Sequence, residues 1–177
     1  GIDVAELGVQ VHGGMGFIEE TGAAQYSRDV RVTAIYEGTN GIQSMDLVGR
    51  KLMDGGEAAY NLLDEMEAEA ESARAVFPDL AEAVWQACET LRETTEWMVA
   101  QGAQDRFAGS VPYLRGFARV LGAHFHLKAA RADKGGTHER LAGFYITRLL
   151  PEHTGLLSHA RQGADALYKL SMDDLAA

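Results

Sequence analysis

One hundred and seventy-seven residues, 46% apolar and 24% charged, suffice for one sizeable core or two small ones in a soluble globular chain. Lys plus Arg number 16 against 26 Asp plus Glu, and the net charge of −10 argues against nucleic acid or an anionic membrane as the main partner. No apolar run approaches the ~18–20 residues that cross a bilayer, no signal-peptide pattern opens the chain, and the single cysteine, Cys88, fits a reducing, cytoplasmic compartment.

The dominant period is helical, and only three prolines interrupt it. Residues 2–11 read as a helix, the end of one begun earlier, since no capping residue precedes it. Three glycines within residues 12–16 make a turn, and a short helix follows over 23–29. Residues 30–36 are apolar and extended in character, and are expected to form a buried connection. A helix then runs from about Thr39 to Leu52, with Ile42, Met45 and Val48 or Gly49 on one face.

Met53-Asp54-Gly55-Gly56 reads as a linker dividing the chain into residues 1–54 and 55–177, and beyond it the composition shifts toward Ala, Glu, Leu and Arg. Residues 57–77 place Tyr60, Leu63, Met66, Ala70 and Ala73 at three- and four-residue steps. Pro78 restarts a helix carrying Leu80, Val84, Ala87, Leu91, Thr94 and Met98 in a/d fashion. Residues 102–109 read as a loop. Pro112 then opens a third long helix to about Ala132, with Tyr113, Phe117, Val120, His124, Leu127 and Arg131 on one face. A fourth segment, 137–170, is broken by Pro151 into a kinked helix or two in line. Four amphipathic segments with short loops predict an antiparallel four-helix bundle in an all-α chain.

Three motifs stand in the first third: Gln10-Val11-His12-Gly13-Gly14-Met15-Gly16-Phe17, Arg28-Asp29-Val30-Arg31 and Ile35-Tyr36-Glu37-Gly38-Thr39-Asn40. In the last, Gly38 allows a sharp turn and Thr39 and Asn40 suit a helix start, which holds the Glu37 carboxylate at a corner. The ordered string, continued through Gly41-Ile42-Gln43, resembles the C-terminal helical domain of flavin-dependent acyl-CoA dehydrogenases over residues 1 to about 52. The appended helices resemble the extension of a longer, bacterial-type subgroup.

The resemblance implies that Glu37 is the catalytic base, taking the α-proton of an acyl-CoA thioester while a hydride leaves the β-carbon for FAD. Burial under the acyl chain would raise the carboxylate's proton affinity, and the family uses the base's own N–H as a donor to the thioester oxygen. It implies that Tyr36 and Gly38 line the acyl-CoA site, and that Thr39 and Asn40 meet the flavin. Gln10, Val11, His12, Gly13 and Gly14 match a segment that reaches the FAD of a neighbouring subunit. Gly41 departs from the bulkier residue of many relatives, so no contact is assigned to it.

The implied partners are the missing N-terminal and β domains, an electron-transfer flavoprotein as acceptor, and further copies in a homo-oligomer. The chain is expected to be a fragment or one part of a split assembly, inactive alone and exposing apolar faces in its first part. The alternatives are an acyl-CoA oxidase or nitroalkane-oxidase-like flavoprotein and, in another class, a non-catalytic helical interaction protein. Arg28-Asp29 reads as a structural ion pair, the Glu-rich 57–75 stretch as a solvated face, and Cys88 as a small buried apolar residue. His124 and His126 lie about 200° apart around a helix, so no metal site is expected.

Overall fold

The computed structural model describes residues 1–176, and among them eleven α-helices and no strand are present. Two compact units divide the chain, Gly1–Gln43 and Ser44–Ala177.

In the first unit α1 (Ile2–Val11) packs against α3 (Ala23–Arg31), joined by α2 (Gly14–Phe17) and the 3₁₀ turn Glu19–Thr21. Only His12 and Gly13 form the turn after α1, because Gly14 to Phe17 already coil into one helical turn. Gly16 makes that turn possible, since a Cβ there would stand 2.3 Å from the Val9 carbonyl oxygen. Ala23 is the one buried apolar residue of this unit among the described residues, while Val11, Phe17 and Tyr26 are each more than 70% exposed. The first unit thus shows apolar faces to solvent and has almost no core of its own.

The expected buried connection over 30–36 is not what forms. Val30 and Arg31 end α3, and Val32–Ala34 make a 3₁₀ turn. Val32, Ile35 and Tyr36 are all more than half exposed. Their β-branched, aromatic character favours a strand only where a sheet is there to pack against. Arg28 pairs with Glu19 at 3.2 Å, not with Asp29, whose carboxylate accepts from Gln25 Nε2 at 2.5 Å.

Helix α4 (Asn40–Asp46) runs into a π-helical turn, Leu47–Lys51. Val48 and Leu52 are buried and belong to the hydrophobic core of the second unit, which includes Ala160. Four long segments make that core an antiparallel bundle: α5 (Glu57–Ala73), α6 (Pro78–Ala100), α8 (Ser110–Ala132), and the in-line pair α9 (Thr137–Phe144) and α10 (Glu152–Ala160).

The seams follow three–four spacing. Leu63, Met66, Ala70 and Ala73 are buried on α5, and Ala81, Val84, Cys88, Leu91, Thr95 and Met98 on α6. Leu80 is only partly buried; Ala81 takes the seam one residue on. Cys88 is fully buried, and burial pushes its thiol up to about 12. On α8 the stripe is Tyr113, Gly116, Val120, Ala123, Leu127 and Ala130, with Phe117 at its edge and Arg131 outside, ion-paired to Glu69. Small residues let helices approach closely: a Cβ on Gly109 would meet the Ala160 carbonyl oxygen at 2.2 Å, and one on Gly116 the Leu157 side chain at 2.6 Å.

Polar groups inside the bundle are mostly paired. Tyr113 and Thr95 share a hydroxyl hydrogen bond at 2.8 Å, and Ser44 and Ser110 another at 3.0 Å. The Glu-rich face of α5 is tied rather than merely solvated. Arg92 of α6 donates to Asp64 and Glu67, and Arg131 of α8 to Glu69.

Three further features depart from the pattern. Residues 103–108, expected as loop, form α7 (Ala103–Ala108), and Arg106 on it donates to the carbonyls of Gln101, Val99 and Val48. The segment broken by Pro151 contains a second π turn, Tyr145–Leu149, in which the Leu150 N–H reaches back to the Tyr145 carbonyl at 2.9 Å. Helix α10 stops at Ala160, before Gly163 at φ 70°, and among the described residues only α11 (Met172–Leu175) follows.

His124 is 6% exposed, and its Nδ1 is buried with no hydrogen-bond partner among the described residues. Burial lowers its pKa below the usual value of 6.5, against the pull of Glu69 and Glu65 and with the push of Lys128. The unfolded chain therefore takes up this proton at a higher pH than the folded one. Stability from the neutral imidazole is complete above about pH 6.5 and is lost as pH falls below it through the lower folded value. Melting temperature should drop more steeply between pH 7 and 5 for the native sequence than for His124→Leu; parallel curves would refute this.

Candidate functional site

The chain leaves the 3₁₀ turn through Ile35 and Tyr36, whose N–H groups both return to the Val32 carbonyl at 3.0 and 3.1 Å. Glu37 then adopts φ 55°, the one positive φ of a non-glycine residue among the described residues, and Gly38 follows at φ 95°. The left-handed region costs a residue with a Cβ about 1–2 kcal/mol, so the glycine takes only half of the turn and the glutamate is strained with it. The Thr39 carbonyl accepts the Gln43 N–H at 2.9 Å, and its hydroxyl accepts, at 3.4 Å, from the Ile42 N–H. These bonds start α4 at Asn40.

The result is an outward corner. Tyr36, Glu37, Gly38, Thr39 and Asn40 are all exposed. Neither the Glu37 N–H nor its carboxylate meets a partner among the described residues. Gln43 was given no role by the sequence pattern, yet its Nε2 donates to the Glu37 carbonyl oxygen at 2.7 Å. Polarity at that position was visible; the reach back over six residues was not, because it depends on how tightly the corner turns. At the far end of α4, Arg50 grips Asp46 through two bonds of 2.6 and 2.8 Å, and those bonds hold the Asp46 carboxyl below its usual range.

Residues 10–14 form a second exposed corner, at the end of α1. His12 Nδ1 lies 2.8 Å from the Gly8 carbonyl, and Gly13 turns at φ 60°. A Cβ on Gly13 or Gly14 would meet nothing within 4 Å, so this backbone is open to close approach. No hydrogen bond or ion pair joins the two corners among the described residues. Between α1 and α3 lies an apolar cavity of about 450 Å³, lined by Val4, Ala5, Gly8, Tyr26, Val30 and His12 among others. No group of three His, Cys, Asp or Glu side chains able to hold a metal ion is present among the described residues. No helix among them is long and apolar enough to cross a membrane.

Residues 62–171 match the family model described as acetyl-CoA dehydrogenase C-terminal like, and residues 1–53 match the acyl-CoA dehydrogenase C-terminal domain. A 3-methylmercaptopropionyl-CoA dehydrogenase of Ruegeria pomeroyi is 36% identical over 97% of this chain. A butyryl-CoA dehydrogenase of Syntrophomonas wolfei is 48% identical over 33% of it, and the mitochondrial short-chain specific acyl-CoA dehydrogenase of Rattus norvegicus 43% over 28%. The matches cover 32%, 10% and 12% of those relatives, so the chain spans about a third of the length of the first.

Proposed function

Because the chain belongs to the acyl-CoA dehydrogenase family, as part of its C-terminal helical region, we propose that it carries the base of an enzyme that desaturates an acyl-CoA thioester between Cα and Cβ. The observation that carries this reading is the Glu37 corner: a carboxylate without a protein partner, on a strained turn, just before a helix. In this role Glu37 removes the α-proton. An exposed carboxylate is a weak base for such a proton, and the acyl chain laid over the corner desolvates it and strengthens it. The Glu37 N–H, free of any helical ladder, donates to the thioester oxygen as negative charge develops there. Tyr36 and Gly38 flank the base and bound the thioester.

FAD, when bound, supplies the acceptor for the hydride that leaves Cβ. The residues present fit it. Gln10, Val11, His12, Gly13 and Gly14 form an exposed stretch in which the two glycines leave the backbone open to close contact, and Thr39 and Asn40 stand one and two residues beyond Gly38. The remaining envelope would come from N-terminal and β domains of the same enzyme, with the assembly a homo-oligomer and an electron-transfer flavoprotein as acceptor.

The test is anaerobic reduction of the flavin in the full-length protein by butyryl-CoA and by 3-methylmercaptopropionyl-CoA, the substrates named for the relatives. Reduction that requires Glu37 supports the enzyme reading, and absence of reduction by any acyl-CoA favours a scaffold. Oxygen consumption during turnover would favour an oxidase instead.

The 177-residue chain by itself should bind neither FAD nor acyl-CoA with useful affinity. A few exposed backbone contacts cannot offset the ~4–15 kcal/mol lost in association freedom. A yellow, flavin-loaded preparation of these residues alone would overturn this expectation.

A further inference from the structure

We propose that Gln43 is a positioning residue for the base: its side-chain amide, bonded to the Glu37 carbonyl, holds the corner that aims Glu37. The inference rests on the reading of Glu37 given above.

Three observations converge on it. Glu37 sits in a backbone region that its Cβ disfavours, so the corner would relax toward ordinary dihedrals without an outside restraint. Few bonds restrain the turn, and the one that reaches the Glu37 carbonyl comes from Gln43 Nε2, at 2.7 Å. Gln43 is in turn anchored at its own backbone, where its N–H donates to the Thr39 carbonyl at 2.9 Å. Main chain and side chain of one residue thus hold the Glu37–Gly38 and Thr39–Asn40 peptides together. Space around the bond is tight as well, since a Cβ on Gly38 would lie 3.2 Å from that same Nε2. Gly38 therefore leaves room for the amide as well as for the turn.

The bond fixes the plane of the peptide between Glu37 and Gly38. Released, Glu37 can relax from φ 55° toward ordinary dihedrals, and its Cα–Cβ bond and the carboxylate at the end of the side chain turn with it. Proton transfer from carbon tolerates little displacement, and a misplacement of about 1 Å can cost on the order of a hundredfold in rate. Gln43 is exposed, and its side chain is not part of the core, so its loss should fall on aim and not on folding.

The experiment compares the full-length holoenzyme with Gln43→Met, Glu37→Gln and the double variant. Gln43→Met keeps the length of the side chain and removes the donor. Four quantities are measured: flavin content, melting temperature, acyl-CoA dissociation constant, and the rate of flavin reduction. A fifth readout, exchange of the substrate α-hydrogen with solvent deuterium, follows the proton step directly. For Gln43→Met the rates of reduction and of α-exchange should fall about tenfold to a hundredfold. Flavin content, melting temperature and acyl-CoA affinity should stay within twofold or a degree or two. In the double variant Gln43→Met should cost nothing beyond Glu37→Gln, because the group it aims is gone.

If Glu37→Gln is inactive but Gln43→Met runs at the native rate, the positioning role is wrong while the base assignment stands. If Glu37→Gln keeps its turnover, the base assignment itself is wrong. A drop in melting temperature or flavin content that accounts for the whole loss in Gln43→Met would make Gln43 structural and overturn the proposal. Should Gln43→Met not accumulate as folded holoenzyme, Gln43→Ala lacks the same donor with less volume and is read by the same split.

Discussion

Glu37→Gln in the full-length enzyme will slow flavin reduction by acyl-CoA about 10²- to 10⁴-fold, the range over which loss of a general base is felt. The amide matches the carboxylate in size and can occupy the same strained backbone at φ 55° at the same steric cost. The Gln43 contact is made to the main-chain carbonyl of residue 37, so it survives the substitution. Flavin content and acyl-CoA affinity should therefore stay near native, and the loss should appear in the rate constant alone. Glu37→Asp retains a base on a side chain shorter by one methylene, and should fall between the two. Glu37→Gly tests the backbone separately: it abolishes the proton step but relieves about 1 kcal/mol of left-handed strain, so the variant should be inactive and no less stable. Retained turnover in Glu37→Gln would put the base on another helix.

The second large effect concerns where the bundle begins. A chain of residues 44–177 should melt cooperatively as a helical domain, and one of residues 55–177 should be markedly weaker. Val48 and Leu52, lost from the shorter chain, are 0% and 2% exposed and sit in the bundle core. Burying each contributes about 1.5–3 kcal/mol, so the pair stands for about 3–6 kcal/mol. That is a large part of the 5–15 kcal/mol that typically holds a domain together. The shorter chain also leaves Ser110 without Ser44, and Arg106 without the Val48 carbonyl. A fall of roughly 10–20 °C in melting temperature is expected for a domain of this size. Equal melting of the two would remove Val48 and Leu52 from the account. An unfolded 44–177 chain would make the bundle an extension that depends on what precedes it. Mass in solution on the same samples reads whether the bundle associates, as an interface role requires.

The long helices were legible because their seams repeat every three or four residues, and periodicity survives without knowing any partner. What the pattern hid was smaller in scale. Ala81 and Ala130 carry seam positions with side chains too small to stand out beside Leu80 and Arg131. Helix α7 is only six residues long between Gly102 and Gly109; its Ala, Gln and Arg favour a helix, but the flanking glycines read as loop and the run is too short to show a period. The π turns have no signature in hydrophobic period at all. Residues 30–36 differ in the other direction: their apolar content predicts burial, yet Val32, Ile35 and Tyr36 lie exposed. In a unit with almost no core, apolar content marks only what the chain would bury if something were laid on it.

At the candidate site the position of the corner was legible from Gly38-Thr39-Asn40, and its strain was not. A glycine beside a glutamate suggests that the glycine absorbs the unusual dihedral, whereas both residues share it. Nor does any local rule foretell that Gln43 reaches back across the turn, because such a bond exists only once the turn has been closed.

The close approach of α8 to α10 also bears on how mutational tolerance in this chain should be interpreted. Gly109 has no room for even one methyl group against the Ala160 backbone, and Gly116 has none against Leu157 unless that side chain moves. A saturation library scored by survival would show both positions as forbidding as any base or ligand, although neither bears a functional group. Intolerance there would measure the distance between two backbones. On the proposed role of Glu37, intolerance at that position would measure chemistry, and the two kinds should part company under one simple readout: a substitution at Gly109 should lower the amount of folded protein, while Glu37→Gln should leave it abundant and inactive.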